Sequence, residues 1–191
     1  MTDAVKAPTR RQQEVQRNLD ALIAAATEIF ATDGVDAPVR RIIAAAGVGA
    51  GTYYRHFPHR SDLITAVFRH EVDACVAAAA DLADQHEPVE ALTHWLRQVT
   101  RFIADKYGLK PAMHSGEPPY RELPAYFLDR LTPVLEQFLD TAADAGLIRA
   151  DISPQDLMRV LSGIAAPDDR AFTNRMIDLV VDGLRYGRTA T

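Results

Sequence analysis

Read in order, the apolar positions fall at the three- and four-residue steps of successive helix faces, with Gly and Pro between them. Leu19, Leu22, Ile23, Ala26, Ile29 and Phe30 stripe a first helix over 13–32, which Asp33-Gly34 stops. Val39, Ile42, Ile43 and Ala46 mark a second, with Pro38 in its first turn and Gly47 as its breaker. A very short third helix over 50–54 runs into Tyr53, Tyr54, Arg55, His56 and Phe57. The fourth, over 61–84, carries Leu63, Ile64, Val67, Phe68, Val72, Cys75, Ala79 and Leu82 on its buried side. Gln85-His86-Glu87-Pro88 reads as a break before a fifth helix over 88–107, striped by Val89, Leu92, Trp95, Leu96, Val99, Phe102 and Ile103.

Residues 108–120 are the most broken stretch, with room for one short helix near 111–114. The helical pattern resumes over 123–145, where Pro133 predicts a kink and Gly146 the end. Ser153-Pro154-Gln155-Asp156 has the hydroxyl cap, early Pro and following carboxylate of a helix start, and the helix reaches Ala166-Pro167. The last helix, over 169–186, has an apolar face wider than one partner helix needs. The expected fold is all-α, with about nine helices.

Helix, tight Gly turn and second helix with polar and basic groups on its free face, over 38–57, is the layout of a helix-turn-helix DNA reader. Residues 12–60 are expected to form that domain, and 61–191 a helical ligand-binding and dimerisation domain, with the fourth helix bridging the two. Arg40 and Arg41 lie away from Ile42 and Ile43, on a face that is either solvated or in contact with phosphate or guanine.

The run Ala45-Ala46-Gly47-Val48-Gly49-Ala50-Gly51-Thr52-Tyr53-Tyr54-Arg55-His56-Phe57, followed by Arg60 and Leu63, resembles the signature of the tetracycline-repressor (TetR) family. The specific resemblance reaches back through Phe30 and Gly34 and covers residues 14–70. It implies a homodimeric transcriptional regulator, most often a repressor, that binds a palindromic operator in double-stranded DNA and is released by a small molecule. By that resemblance Tyr54, His56 and Arg60 hold phosphate, and all three side chains can donate to anionic oxygen. Gly49 and Ala50 stand where the family often has Ser and a long side chain. The short helix can then approach the groove closely but has few groups with which to specify bases. Readout is expected from Thr52, Tyr53, Arg40 or Arg41, helped by DNA shape. Tyr53 replaces a usual Leu and is either a base reader or partly buried. Pro38, where the family usually has a capping Thr, cannot donate a hydrogen bond.

A net charge of −5 argues against a DNA partner until the chain is divided. Residues 1–60 carry eight Lys+Arg against six Asp+Glu, and residues 61–191 carry 13 against 20. The reader is thus mildly basic and the acidity lies elsewhere, so binding must lean on geometry and on two copies. Residues 1–12, polar with Lys6, Arg10 and Arg11, read as a disordered tail or as a basic arm. Hydrophobic content of 48% and charged content of 25% are those of a soluble globular protein. No apolar run is long enough for a membrane span, and the start lacks a signal-peptide core, which together predict the cytoplasm. Arg greatly outnumbers Lys and Ala is abundant, a composition that suggests a GC-rich bacterial genome.

No catalytic motif is present, so an enzyme is not expected. Gly47-Val48-Gly49-Ala50-Gly51 has the wrong spacing for a dinucleotide loop and follows a helix pattern. His56 and His59 lack a nearby third ligand, so no metal or cofactor is expected. The family resemblance implies an effector cavity among the fifth to seventh helices. Trp95, Phe102, Met113, His114, Tyr120, Tyr126, Phe127 and Phe138 concentrate there, as pocket lining or as ordinary core. The last two helices are expected to pair two copies in a four-helix interface. The other reading is a small-molecule-binding or dimerisation module with a weak or vestigial DNA reader.

Overall fold

The computed structural model describes residues 9–105 and 118–186. Among the described residues it holds eight helices: α1 (Arg10–Asp33), α2 (Val39–Ala46), α3 (Ala50–His56), α4 (Arg60–Gln85), α5 (Pro88–Asp105), α6 (Leu123–Asp144), α7 (Pro154–Ile164) and α8 (Arg170–Arg185). The all-α expectation is met, and the short helix expected near 111–114 lies outside the described residues. The chain divides into two compact units, Met1–Val67 and Phe68–Thr191.

In the first unit, α1 begins at Arg10, ahead of the expected start, because Thr9 and Gln12 form a capping box. The Gln12 N–H donates to Thr9 Oγ1 at 3.3 Å, and the Thr9 N–H donates to Gln12 Oε1 at 2.8 Å. Arg10 and Arg11 therefore belong to the first turn of a helix and not to a tail. Leu22, Ala25, Ala26 and Phe30 are its buried stripe; α1 packs on α2 and α3, and Ile42, Tyr53, Phe57, Leu63, Ile64 and Val67 are buried in the same unit. Each fully buried Leu or Ile of this kind contributes roughly 1.5–3 kcal/mol. Pro38 is the residue before α2, in extended conformation and without a side-chain cap, and not part of its first turn as expected. Gly34 closes α1 with a positive φ of 79°.

Arg60, the first residue of α4, ties this unit together. Its Nε donates to the Val35 carbonyl at 2.8 Å and its terminal nitrogen to the Ala37 carbonyl at 2.6 Å, with a further short contact from that nitrogen to Val35 O. The guanidinium also lies over the Phe30 ring, 5.9 Å from its centroid. It thereby satisfies two carbonyls of the α1–α2 connection that no helix serves. Placing Arg60 on a DNA phosphate is thus corrected: its fork is engaged within the fold.

In the second unit α5 is the central rod, contacting α6, α7 and α8. Val89, Leu92, Trp95, Leu96, Val99 and Phe102 of α5 are all buried, consistent with their spacing. Trp95 is 0% exposed, and its indole N–H donates to the Cys75 carbonyl of α4 at 2.9 Å. Burial pushes the Cys75 thiol up to about 11, which makes it a core residue and not a nucleophile. α6 runs as one helix through an exposed Pro133. Ser153 caps α7 by accepting the Asp156 N–H at 3.2 Å, as the sequence predicts, and Asp169 caps α8 by accepting the Phe172 N–H at 2.7 Å. Between these two helices the buried Thr173 hydroxyl accepts the Ala166 N–H at 3.0 Å and donates to the Ile164 carbonyl. No helix among the described residues is long and apolar enough to cross a membrane.

Arg60→Ala is expected to lower the stability of the first unit by about 2 kcal/mol, the scale of a hydrogen bond to a charged group. Faster amide hydrogen exchange in α1 and α2 would register it. Arg60→Lys should not restore it, because an ammonium cannot reach two carbonyls with a planar fork. Wild-type exchange in both variants would mean the side chain has no such role.

Candidate nucleic-acid interface

The turn between α2 and α3 is set by Gly47, which sits in the left-handed region at φ 66°, ψ 26°. Only Gly adopts this conformation without steric cost. The Gly47 N–H donates to Ala44 O and the Val48 N–H to Ile43 O, each at 3.3 Å, which closes the end of α2. Gly49 then precedes α3 in extended conformation, and its carbonyl accepts the N–H groups of Thr52 at 2.9 Å and Tyr53 at 3.2 Å.

α3 is longer than expected from sequence, reaching His56, and its sides are sharply different. Tyr53 is 1% exposed, its ring edge-on to Tyr54 at 5.0 Å and tilted against Phe57 at 5.9 Å. A base-reading role for Tyr53 is therefore corrected: it is a core anchor. Its hydroxyl is buried without a hydrogen-bond partner, and burial, first among the causes, raises its pKa. Gly49, Ala50, Gly51, Tyr54 and Arg55 are exposed, with Tyr54 at 58%. The space above Gly49 and Gly51 is open to 4 Å around the position a Cβ would take. Thr52 and His56 are half-buried, His56 against the Phe57 ring at 6.2 Å.

Of the cations expected at DNA, Arg40 is exposed, while Arg41 is ion-paired with Asp33 at the end of α1. Arg55, which the sequence reading left without a role, lies on the exposed side of α3. Its Nε donates to Gly51 O at 2.9 Å and its terminal nitrogen to Thr52 Oγ1 at 3.2 Å. The four- and three-residue spacings back to Gly51 and Thr52 were the available signal. The outer side is a short helix with a bare start, a phenol and a guanidinium, with the exposed His59 and the half-buried His56 nearby, side chains able to donate to anionic oxygen.

The expected effector residues separate. Met113 and His114 lie outside the described residues. Trp95 touches no space that admits a water, so its place as cavity lining is corrected to core. Phe102 and Phe127 stack at 5.9 Å, and Trp95 and Phe138 tilt together at 5.6 Å, filling the core around them. The Tyr126 hydroxyl donates to both Asp73 oxygens at 2.8 and 2.9 Å, and Arg130 pairs with the same carboxylate at 2.9 Å. Asp73 raises the pKa of Tyr126 after burial does. Tyr120 is half-buried against the core. A largely apolar cavity of ≈ 310 Å³ lies among α4, α5 and α6, lined by Val76, Ala79, Ala91 and Phe138 with His86, Gln137 and Thr141 as its polar groups. Among the expected residues, Phe138 borders it.

Comparison with known proteins places this geometry. Residues 22–67 match the family described as bacterial regulatory proteins, tetR family, and residues 87–186 match the transcriptional regulator SbtR-like C-terminal domain. A TetR transcriptional regulator from Streptomyces coelicolor is 39% identical, with 87% of this chain and 97% of that one covered and a TM-score of 0.73. The TetR transcription regulatory protein from Mycobacterium vanbaalenii is 31% identical over 92% of this chain and 99% of that one, with a TM-score of 0.70. An HTH-type transcriptional regulator of Staphylococcus aureus is 25% identical over 122 residues, which span 63% of this chain and 66% of that protein. The transcriptional regulator FadR from Bacillus subtilis, solved with stearoyl-CoA, shares the fold at 18% identity, covering 88% of this chain and 98% of that one, with a TM-score of 0.63.

Tyr53→Phe removes an unsatisfied buried hydroxyl and keeps the ring, so it should raise the stability of the first unit by about 1 kcal/mol. Operator affinity should stay unchanged, because the group faces the core. A loss of affinity with unchanged stability would return Tyr53 to the DNA-reading surface.

Proposed function

The chain belongs to the TetR family of bacterial transcriptional regulators, and from that premise we propose that it is a homodimeric, ligand-responsive repressor. Two copies of α3 enter adjacent major grooves of a palindromic operator. The observation that carries this reading is the exposed face of α3. Its buried Tyr53 fixes the helix while Tyr54, at 58% exposure, and the bare Gly49–Gly51 start remain free. Tyr54 and His56 donate to phosphate, and Gly49 and Ala50 let the helix come close. Arg40, Arg55 and Thr52 supply base-edge contacts. The second half of the chain receives a small-molecule effector and joins the copies. The work asked of all these residues is binding, not catalysis.

Support for the dimer comes from α7 and α8, where Val160, Phe172 and Leu179 are exposed, Leu179 at 64%. Ile164, Met176 and Val180 are half-buried beside them, and Gly163 and Gly183 leave open space for close approach. Support for an effector comes from the apolar cavity among α4, α5 and α6 and from stearoyl-CoA bound by a regulator of the same fold. Because α4 is one continuous helix whose residues fall in both units, a ligand that prefers one conformer can shift the spacing of the reading helices. The shift is limited to the ligand's differential affinity for the two conformers. A second reading, a binding module with a weak reader, is favoured by the internal engagement of Arg41 and Arg60.

Fluorescence anisotropy with the DNA upstream of its own gene should show specific binding. Tyr54→Phe and His56→Ala should each weaken it by about tenfold, and Arg40→Ala should reduce the slope of affinity against salt. Unchanged affinity in both variants would favour the module. Leu179→Asp should yield monomers in size-exclusion chromatography and abolish operator binding while helicity is retained; dimers in that variant would place the interface elsewhere.

A further inference from the structure

Away from the DNA-reading helices, the junction of α4 and α5 brings three metal-binding side chains to one point. His86 follows the last residue of α4, Glu90 lies in the first turn of α5, and His94 stands one turn further. Glu90 and His94, four residues apart, share one side of α5, and His86 reaches the same point from the bend before that helix. His86 Nδ1 is 3.5 Å from Glu90 Oε1, and His94 Nε2 is 3.7 Å from the same oxygen. All three ligand atoms lie within 4.8 Å of one another. The imidazoles are stacked, with centroids 4.4 Å apart and planes at 29°. Both are half-buried, and Glu90 is exposed.

These separations are longer than N–H···O hydrogen bonds, whose usual range ends at about 3.2 Å. They match donors arranged around a shared ion: two ligands bound to Zn²⁺ at tetrahedral angles stand roughly 3.4 Å apart. A surface His–Glu ion pair is a weak interaction and gives no reason for a second ring to stack on the first against the same oxygen. Two imidazole nitrogens and a carboxylate oxygen suit Zn²⁺, Ni²⁺ or Cu²⁺, whereas Ca²⁺ and Mg²⁺ require oxygen donors.

We propose that His86, Glu90 and His94 form a binding site for a divalent transition-metal ion of the Zn²⁺ type, with water completing its coordination. Glu90 and His94 also line a groove of ≈ 900 Å³ between α5 and α8, which leaves the ion and its water a path to solvent. Within that groove Arg97 pairs with Asp178 at 2.6 Å and Arg185 with Asp182 at 3.7 Å. Glu87 and Glu90 remain as carboxylates that draw a cation in. A bound ion cross-links the turn at His86 to the second turn of α5 and so fixes the end of the long helix α4. His86 also borders the cavity among α4, α5 and α6, but the metal titration reads the ion directly and needs neither operator nor effector.

Isothermal titration of the metal-free full chain with ZnCl₂ tests it. The expected result is one saturable site per chain, with protons released to the buffer or excluded from the ligands as the ion binds. His86→Ala and His94→Ala should each weaken binding by more than about tenfold, the loss that even an outer-sphere partner can cause. Glu90→Gln should weaken it while both imidazoles remain, and His70→Ala, an exposed histidine outside the cluster, should not. Circular dichroism of each variant checks that the fold persists. With Co²⁺ as probe, the visible absorption of a nitrogen-containing site should appear in the wild type and vanish in His94→Ala. Absence of saturable Zn²⁺ binding, or wild-type affinity in His94→Ala or Glu90→Gln, would overturn the assignment.

Discussion

A helix of seven residues cannot hold itself together. Nucleation fixes several residues for the first hydrogen bond, and isolated helices shorter than about 12–15 residues are marginal in water. α3 is such a helix, so its existence depends on what Tyr53 and Phe57 bury beneath it. The same anchoring limits what the helix can present. Each side chain given to the core is withdrawn from the outer face, and of the two adjacent tyrosines on α3 the core takes Tyr53. What remains outside is Tyr54, Arg55 and a start made of Gly and Ala. The reading surface is small because its support has to be large.

Arg60 extends the same logic to the α1–α2 connection. That connection is too short to form secondary structure, so its carbonyls need a donor from elsewhere. Arg60 reaches Val35 and Ala37 from the first turn of α4, and its cation also rests on Phe30. A planar fork with several N–H groups can do all three at once. The orientation of α2, and through the Gly47 turn that of α3, follows from this set of contacts.

Much of the fold was legible because helix periodicity and punctuation agree. The stripe of α5, the Ser153 cap and the Gly47 turn were each marked by residue type at a fixed spacing. The start of α1 was also written in the sequence, as Thr9 followed three residues later by Gln12, but the polar run around it suggested a tail. The roles of Tyr53 and Arg60 were not legible in the same way. A tyrosine or an arginine beside a DNA-binding turn is equally suited to phosphate and to the core, and only the packing partners decide. The aromatic residues of the second unit share that ambiguity: an apolar ring lines a cavity or fills one. Trp95 fills, with its N–H satisfied by Cys75 O, while Phe138 does some of both. His86, Glu90 and His94 escaped notice because Gln85–Pro88 reads as a break, and a ligand set that straddles a break has no single periodic pattern.

The distribution of arginines gives the last constraint. The first sixty residues carry only a small excess of cations, and the structure leaves fewer of those cations free for DNA, since Arg41 pairs with Asp33 and Arg60 serves two carbonyls. Each phosphate neutralised by a free cation adds affinity through counterion release, so one head with few free cations binds DNA weakly. Two heads held on one dimer make the second contact effectively intramolecular, with a gain of two or more orders of magnitude when their spacing matches the operator. In the proposed dimer, therefore, the exposed apolar face of α7 and α8 matters to DNA affinity as much as the reading helix does. A reader with weak individual grip is also well suited to control. In the proposed ligand-responsive dimer, where most of the affinity would come from simultaneous engagement, a ligand need only change the spacing of the heads to release the operator, without altering any group that touches DNA.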